Sequence, residues 1–331
     1  MAQIPLNEAT PFAELSPDRV IAAIERLGFV CDGRVLALNS YENRVYQIGL
    51  ETGTPLVAKF YRPGRWTREA ILEEHEFSVS LAAAEVPVVA PLQVNGQTLH
   101  EIEGYQYAVF PRRGGRWPEL GTTDDCVLMG RFLGRLHLVG ASARFQHRRR
   151  LTTQEFGWQA RAIVLECPLI PEYVVDKYAD LTATLLERSD AAFEAHGFVT
   201  QLRIHGDCHR GNILWTDAGP HFVDLDDCMT GPAMQDLWML LAGSRDDMRR
   251  QMADYVEGYE QFRPFDRVEL GLIEPLRALR LVHYSGWLAA RWRDPAFPRA
   301  FPWFGEPRYW ENHLNALGEQ LDAMDQDALE L

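Results

Sequence analysis

The chain has 331 residues, of which 47% are hydrophobic and 24% are charged, and its formal net charge is −14. This composition supports one large packed domain or two smaller ones and excludes wholesale disorder, because apolar side chains are plentiful. The acidic balance excludes sequence-independent nucleic-acid binding as a main function, since that needs a surplus of Lys and Arg to displace counterions from phosphates.

Three features predict a cytoplasmic protein that has no membrane partner. Residues 1–12 lack a basic segment followed by an apolar one, so we predict no signal peptide. No uninterrupted apolar run is long enough to span a bilayer. The five cysteines are scattered and form no Cys-x-x-Cys pair, which is typical of reduced thiols.

The first third of the chain is predicted to mix short strands with two helices. Ser16 and Pro17 begin an amphipathic helix that Gly28 ends, and residues 66–84 have a second helical pattern. Alternating apolar runs predict strands at residues 35–38, 44–48, 56–60, 88–90 and 105–110. We therefore expect residues 1–110 to form a small β-rich lobe.

The rest of the chain is predicted to be mainly helical. Residues 111–121 are rich in Pro, Gly and Arg and are interpreted as a linker. Helical patterns then dominate residues 122–331, apart from one β-hairpin with strands at residues 213–215 and 221–224. The predicted fold is therefore α+β with two lobes, and a nucleotide is expected in the cleft between them.

The most informative segment is residues 204–215, Ile-His-Gly-Asp-Cys-His-Arg-Gly-Asn-Ile-Leu-Trp. Asp207 and Asn212 lie on a loop that enters the hairpin, and Asp224 leaves it, so Asn212 and Asp224 are expected at the same end. Phosphoryl transfer needs a carboxylate that takes the proton of the attacking hydroxyl, for which Asp207 is suited. An amide and a second carboxylate, here Asn212 and Asp224, are oxygen ligands that suit Mg²⁺ beside nucleotide phosphates.

Lys59 is a lone cation in the apolar strand at residues 56–60. Its Val-Ala-Lys context matches the lysine that holds the α- and β-phosphates of ATP in kinases, while the alternative is a strand-edge lysine that reaches water. A buried lysine needs an acidic partner. Glu73, Glu74 and Glu76 follow on the predicted helix, and we favour Glu74.

The loop at residues 38–45 lies where a phosphate-covering loop is expected, but it has no glycine. Ser40 and backbone N–H groups can hold phosphate oxygens there, and the alternative is an ordinary polar turn. Asp226 and Asp227 follow Asp224 directly. Either can hold a second metal through water, although we expect solvated loop acids.

Two further residues are expected to support the Asp207 segment. His205 is expected to brace the loop through its ring, and Asp236 to cap a helix or hold the loop backbone. A zinc hydrolase built on His205, Asp207 and Cys208 is the weaker alternative, because the segment is too compact to coordinate a metal alone.

The motif from His205 through Asn212, together with Asp224, resembles the aminoglycoside phosphotransferase and choline kinase superfamily. Longer segments resemble the bacterial stress response kinase A family. These segments are residues 39–47, 59–63, 224–227, 232–241 and 294–298.

The resemblance implies a bilobal protein-kinase-like fold and a cytoplasmic Ser/Thr protein kinase that uses ATP and Mg²⁺. It also implies a role in survival of envelope and oxidative stress, in opposition to programmed cell death. Carried over by motif, Asp207 is the proton acceptor, Asn212 and Asp224 are metal ligands, and Ser40 lies at the ATP site.

Two other functions remain open. A small-molecule kinase of the aminoglycoside, choline or homoserine type uses the same hydroxyl chemistry, and a nucleotide-binding scaffold needs no catalysis. A deep acidic pocket lined by Asp226, Asp227 and C-terminal acids would favour a cationic metabolite, whereas an open groove would favour a peptide. We expect a monomer whose partners are ATP and a protein with a Ser or Thr acceptor.

Overall fold

The computed structural model describes residues 10–197 and 199–331. Residues 1–9, part of the segment for which no signal peptide is expected, lie outside the described residues. The first helix, α1 (Pro17–Glu25), is capped as predicted, because the Ser16 side chain accepts a hydrogen bond from the Arg19 N–H. Within the described residues, no helix is both long and apolar enough to cross a bilayer.

A five-stranded antiparallel sheet forms the centre of the N-terminal part, with strand order β1-β2-β3-β5-β4. Helix α2 (Arg68–Ala83) follows β3. The buried face of the sheet packs with α1 in one apolar core that includes Val20, Ile48 and Phe60. The strands are β1 (Cys31–Ala37), β2 (Arg44–Leu50), β3 (Leu56–Phe60), β4 (His100–Ile102) and β5 (Tyr105–Pro111).

The strand predicted at residues 88–90 is wrong. Val88 forms a single parallel bridge with Phe222, and the Val89 N–H donates to the Phe222 carbonyl at 3.0 Å. The sheet instead gains β4, whose His-Glu-Ile sequence is too short and too polar to show alternation. The misassigned segment therefore ties the N-terminal part to the hairpin that precedes Asp224.

The C-terminal part is mainly helical, as predicted. The helices are α3 (Thr123–Gly140), α4 (Ala160–Leu165), α5 (Glu172–Ala195), α6 (Met234–Trp238), α7 (Arg245–Tyr259), α8 (Ile273–Arg291), α9 (Ala296–Ala300) and α10 (Pro307–Met324). Helices α3 and α7 cross closely because glycines on each helix face the backbone of the other, and a Cβ atom on Gly258 would collide with the Val127 carbonyl.

Two small antiparallel strand pairs interrupt the helices. Strand β6 (Leu202–Ile204) pairs with β9 (Met229–Gly231), and β7 (Ile213–Thr216) pairs with β8 (Gly219–Phe222). The second pair is the predicted hairpin, although β8 ends before Asp224. Because β6 and β9 are neighbours, the loop that leaves β6 and carries Asp207 lies beside the turn that enters β9.

Candidate active site

Asp207 and Asn212 are held together by direct hydrogen bonds. The Asn212 Nδ2 atom donates to the Asp207 carbonyl at 2.9 Å and to Asp207 Oδ2 at 3.3 Å. This arrangement uses the amide donor of Asn212 and leaves its Oδ1 atom as the oxygen that can bind a cation. The Asp207 side chain remains 20% exposed, so an acceptor can approach it.

The backbone that carries Asp207 is fixed by Asp236, as predicted. Asp236 is fully buried and accepts hydrogen bonds from the N–H groups of His205 and Gly206, both at 2.8 Å. Gly206 has a φ of +85°, and a Cβ atom there would collide with the Asp227 carbonyl, so glycine is required. The His205 ring braces the loop through a contact of 3.0 Å between Nε2 and the Val223 carbonyl.

Asp224 leaves the hairpin beside Asn212, because the Val223 N–H donates to the Asn212 carbonyl at 3.0 Å. Its backbone is left-handed, with φ 58° and ψ 62°. This conformation is costly for a residue other than glycine and is concentrated at functional sites. The side chain is 55% exposed, and its Oδ1 lies 3.3 Å from Lys59 Nζ.

The donor set formed by Asn212 and Asp224 fits Mg²⁺. One amide oxygen and one accessible carboxylate are hard ligands, and Mg²⁺ takes few such ligands from protein and fills its shell with phosphates and water. In residues 10–197 and 199–331, no group of three or more His, Cys, Asp and Glu is arranged to hold a metal. The zinc hydrolase alternative therefore has no ligand set in that part of the chain.

Lys59 is buried and surrounded by acids, so the strand-edge alternative is wrong. Its Nζ lies 3.2 Å from Glu74 Oε1 and 2.9 Å from Asp226 Oδ1, and the Lys59 side chain is 7% exposed. Burial alone would lower the Lys59 pKa, but the carboxylates of Asp226 and Glu74 outweigh it and hold the pKa well above its ordinary value. Lys59 is therefore charged.

Of the three glutamates considered on α2, the structure places Glu74 against Lys59. Glu73 instead accepts hydrogen bonds from the backbone N–H groups of residues 146, 147 and 148 at 2.7–3.0 Å. Glu76 is exposed. Helix α2 thus joins Lys59 on one side and a segment of the C-terminal part on the other.

The expectation that Asp226 and Asp227 are solvated loop acids is wrong. Asp226 is buried and pairs with Lys59 and Arg65, while Asp227 Oδ1 lies 2.6 Å from Arg65 Nη2 and 3.0 Å from Arg149 Nη2. Burial would raise the pKa of the Asp226 carboxyl, but Arg65 and Lys59 hold it at about 2. These acids are neutralised by arginines and form no open acidic pocket.

The loop between β1 and β2 contacts the C-terminal helices. The Ser40 hydroxyl donates to the Asn43 carbonyl at 3.2 Å, a hydrogen bond within its own loop that does not bring Ser40 to the other site residues. Glu42 accepts a hydrogen bond from Trp287 Nε1 at 2.7 Å and pairs with Arg291 at 2.5 Å. These contacts hold the loop down on α8.

A second tie between the two parts joins Arg62, just after β3, to Asp294, which lies in the segment before α9. Arg62 Nη1 donates to Asp294 Oδ2 at 2.8 Å, and both side chains are largely buried. Sequence reasoning singled out residues 294–298 through a resemblance but assigned them no role. The structure shows that they anchor the β3 end of the N-terminal part.

Arg280, on α8, is a site residue that sequence reasoning missed. Its Nη1 atom lies 2.8 Å from Asp207 Oδ1, and its side chain is 36% exposed. An arginine within an amphipathic helix carries no local signal of this contact, because the contact depends on how α8 packs against the loop after β6.

Comparison with known proteins identifies the family. A family model described as "Phosphotransferase enzyme family" matches residues 34–273. Stress response kinase A of Escherichia coli (strain K12) is 46% identical over 327 residues, which cover 98% of each chain. The chain belongs to the stress response kinase A family of phosphotransferases. In this family, the serine/threonine protein kinase RdoA of Salmonella typhimurium is 45% identical over 325 residues, again 98% of each chain.

The fold of this stress response kinase A family member is shared with solved small-molecule kinases. A structure of the amicoumacin kinase hAmiN in complex with AMP-PNP, Ca²⁺ and Ami superposes with a TM-score of 0.68. It covers 90% of this chain and 94% of that chain at 18% identity, so the likeness concerns the fold alone. The predicted α+β, bilobal kinase-like fold is confirmed.

Proposed function

We propose that this protein transfers the γ-phosphoryl group of ATP to Ser or Thr hydroxyls of a protein in the presence of Mg²⁺. One observation carries the proposal, namely a continuous series of contacts across the site. Asp207 is bonded to Asn212, Asn212 to the residue before Asp224, Asp224 to Lys59, and Lys59 to Glu74. A base, two metal ligands and a phosphate-binding cation therefore lie side by side, as phosphoryl transfer requires.

Each residue has a distinct role in the proposed reaction. Asn212 and Asp224 would hold Mg²⁺, which when bound neutralises charge on the nucleotide phosphates. Lys59, oriented by Glu74, would bind the α- and β-phosphates, and Ser40 would contribute to the ATP site. The acceptor oxygen forms a bond to the γ-phosphorus while the bond from that phosphorus to the bridging oxygen breaks, and ADP leaves. The hydroxyl proton passes to Asp207.

We propose that residues 1–110 and 122–331 act as two lobes joined by residues 111–121. Strand β5 ends at Pro111 and helix α3 begins at Thr123, which supports this division. We also propose a cytoplasmic monomer that does not bind nucleic acid, in line with the net charge of −14. The family's names support a place in the bacterial stress response.

The arginine contacts of Asp226 and Asp227 favour a protein acceptor over a cationic metabolite. To attract an amine-bearing acceptor, the carboxylates of Asp226 and Asp227 would have to be accessible and unpaired. Both instead form ion pairs with arginines. The relative from Salmonella typhimurium is named a serine/threonine protein kinase. A catalytically silent scaffold is disfavoured because a scaffold needs no base beside the metal ligands.

The proposal is tested by incubating purified protein with labelled ATP, Mg²⁺ and a generic protein acceptor. We expect label on Ser or Thr with the wild type and none with Asp207→Ala, which should still bind ATP. Transfer to amino alcohols or amino sugars but to no protein would favour the small-molecule kinase. ATP binding without transfer to any acceptor would favour the scaffold.

A further inference from the structure

We propose that Arg280 recognises an anionic side chain beside the acceptor hydroxyl, so that the protein phosphorylates Ser or Thr within acidic segments. This inference rests on the protein-kinase activity proposed above and names the substrate class of the same site. The anion is the carboxylate of Asp or Glu, or the phosphate of a phosphoserine. In both cases the guanidinium supplies the complementary charge.

The two oxygens of Asp207 have different surroundings. Oδ2 lies 3.3 Å from Asn212 Nδ2 and 3.5 Å from His209 Nε2. Oδ1 is shielded from solvent and makes no hydrogen bond of good geometry within the described residues, but Arg280 Nη1 lies 2.8 Å away as an ion-pair contact. Arg280 therefore covers Oδ1, and a hydroxyl that approaches this oxygen must displace the guanidinium.

An acceptor hydroxyl can reach Oδ1 when the Arg280 guanidinium turns aside. A neutral acceptor must break the ion pair with Asp207 without replacing it. An acceptor that carries an anion next to its hydroxyl offers Arg280 a new partner, so one ion pair is exchanged for another. Binding of an acidic segment and exposure of the base are thereby coupled. An amine-bearing acceptor would instead meet a positive charge.

Arg280 begins a row of basic and aromatic side chains on α8. Tyr284, Trp287 and Arg291 follow Arg280 on α8 at spacings of four, three and four, which places the four side chains along one face of the helix. The rings of Tyr284 and Trp287 stack with their centres 5.8 Å apart. Glu42, the acid that contacts this face, is paired with Arg291 and Trp287. Glu42 therefore adds no unpaired negative charge to this face, which favours an anionic ligand at Arg280.

The test measures kcat/KM for peptides of one length in which the Ser is flanked by Asp, phosphoserine, Asn or Lys. We expect the wild type to prefer the anionic peptides over the Asn peptide by about tenfold or more, the scale of a hydrogen bond to a charged group. Arg280→Gln should lose this preference, and Arg280→Glu should prefer the Lys peptide. Arg293→Gln, which removes an exposed arginine beyond the end of α8, is the matched control and should keep the wild-type preference.

The quantity compared is the ratio of kcat/KM between anionic and neutral peptides. Arg280 also contacts Asp207, so replacing Arg280 changes the absolute rate as well. Equal kcat/KM for anionic and neutral peptides, or an unchanged ratio in Arg280→Gln, would overturn the inference and leave the protein-kinase proposal standing. If no peptide is phosphorylated, the affinities of the matching Ser→Ala peptides are measured with a non-hydrolysable ATP analogue and Mg²⁺. An Arg280-dependent preference for anionic peptides would then support the inference, and equal or absent binding would refute it.

Discussion

Replacing Lys59 with Met tests whether the buried charge network formed by Lys59, Glu74 and Asp226 contributes to stability. The side chains of Lys59, Glu74 and Asp226 are 7%, 3% and 4% exposed. Removing one partner of a buried ion pair costs about 3–5 kcal/mol, because the other charge stays buried without compensation. Asp226 keeps its contact with Arg65, so the uncompensated charge is mainly that of Glu74. We therefore expect Lys59→Met to lower the free energy of unfolding by about 3 kcal/mol, the lower end of that range.

The stability lost in Lys59→Met should increase as the pH rises, because the charge left on Glu74 depends on pH. Burial already raises the Glu74 pKa, and Lys59 opposes that rise. Without Lys59 the pKa of folded Glu74 rises further above that of the unfolded chain, which is about 4.3. A carboxyl with a raised folded pKa lowers stability at pH values above that pKa, and the penalty disappears as protonation becomes complete at lower pH. The deficit of Lys59→Met should therefore be larger at about pH 8 than at about pH 5.

The assay is urea denaturation of four proteins at the two pH values: the wild type, Lys59→Met, Glu74→Gln and the double variant. We expect the double variant to be more stable than Lys59→Met at the higher pH, because Gln removes the buried charge that Met leaves behind. Wild-type stability for Lys59→Met, or a deficit that is equal at both pH values, would refute the assignment of a buried ion pair.

Three further predictions concern residues of the proposed site. Asp207→Asn should keep the wild-type unfolding curve and lower kcat by a factor of about 10² or more; equal turnover would remove Asp207 from its role as base. Asp224→Ala should abolish the dependence of ATP affinity on Mg²⁺ in calorimetric titrations, with Asp224→Asn as a control that tolerates the left-handed backbone; an unchanged Mg²⁺ effect would contradict the ligand assignment. Asp236→Ala leaves two buried backbone N–H groups without an acceptor, so it should cost about 2–4 kcal/mol of stability and lower kcat; wild-type denaturation would contradict this.

The parts of the site that could be predicted from sequence are those set by short-range spacing. Asp207 and Asn212 are five positions apart, and the loop between them closes through hydrogen bonds within the same segment. Lys59 was recognisable because a lone cation in an apolar strand requires a buried partner. The sequence narrows the partner of Lys59 to three glutamates on α2, and the fold places Glu74, in the second turn of this helix, against Lys59.

The residues that could not be predicted depend on side chains arriving from distant elements. Acids that follow a strand are solvated by default, so Asp226 and Asp227 gave no sign of burial. Asp226 is buried and Asp227 is partly buried, because Arg65 comes from the segment between β3 and α2 and Arg149 from the segment between α3 and α4. Arg280 likewise reaches Asp207 through the packing of α8. The surroundings of these charged residues are therefore set by ion pairs between distant elements, which the local sequence does not show.

The contacts that join the two parts of the molecule would constrain a nucleotide bound at the proposed site. The Lys59–Asp224 contact is the one that phosphates and a metal would compete for, since both residues are assigned to hold them. Three other contacts between the two parts involve neither residue: Glu42 with Trp287 on α8, Arg62 with Asp294, and Val88 with Phe222. If phosphates and a metal replace the Lys59–Asp224 contact, these other contacts still hold the β1–β2 loop and the β7–β8 hairpin in place. If ATP binds at the proposed site, little of the surrounding structure has to be ordered on binding, because these contacts already form in the folded protein.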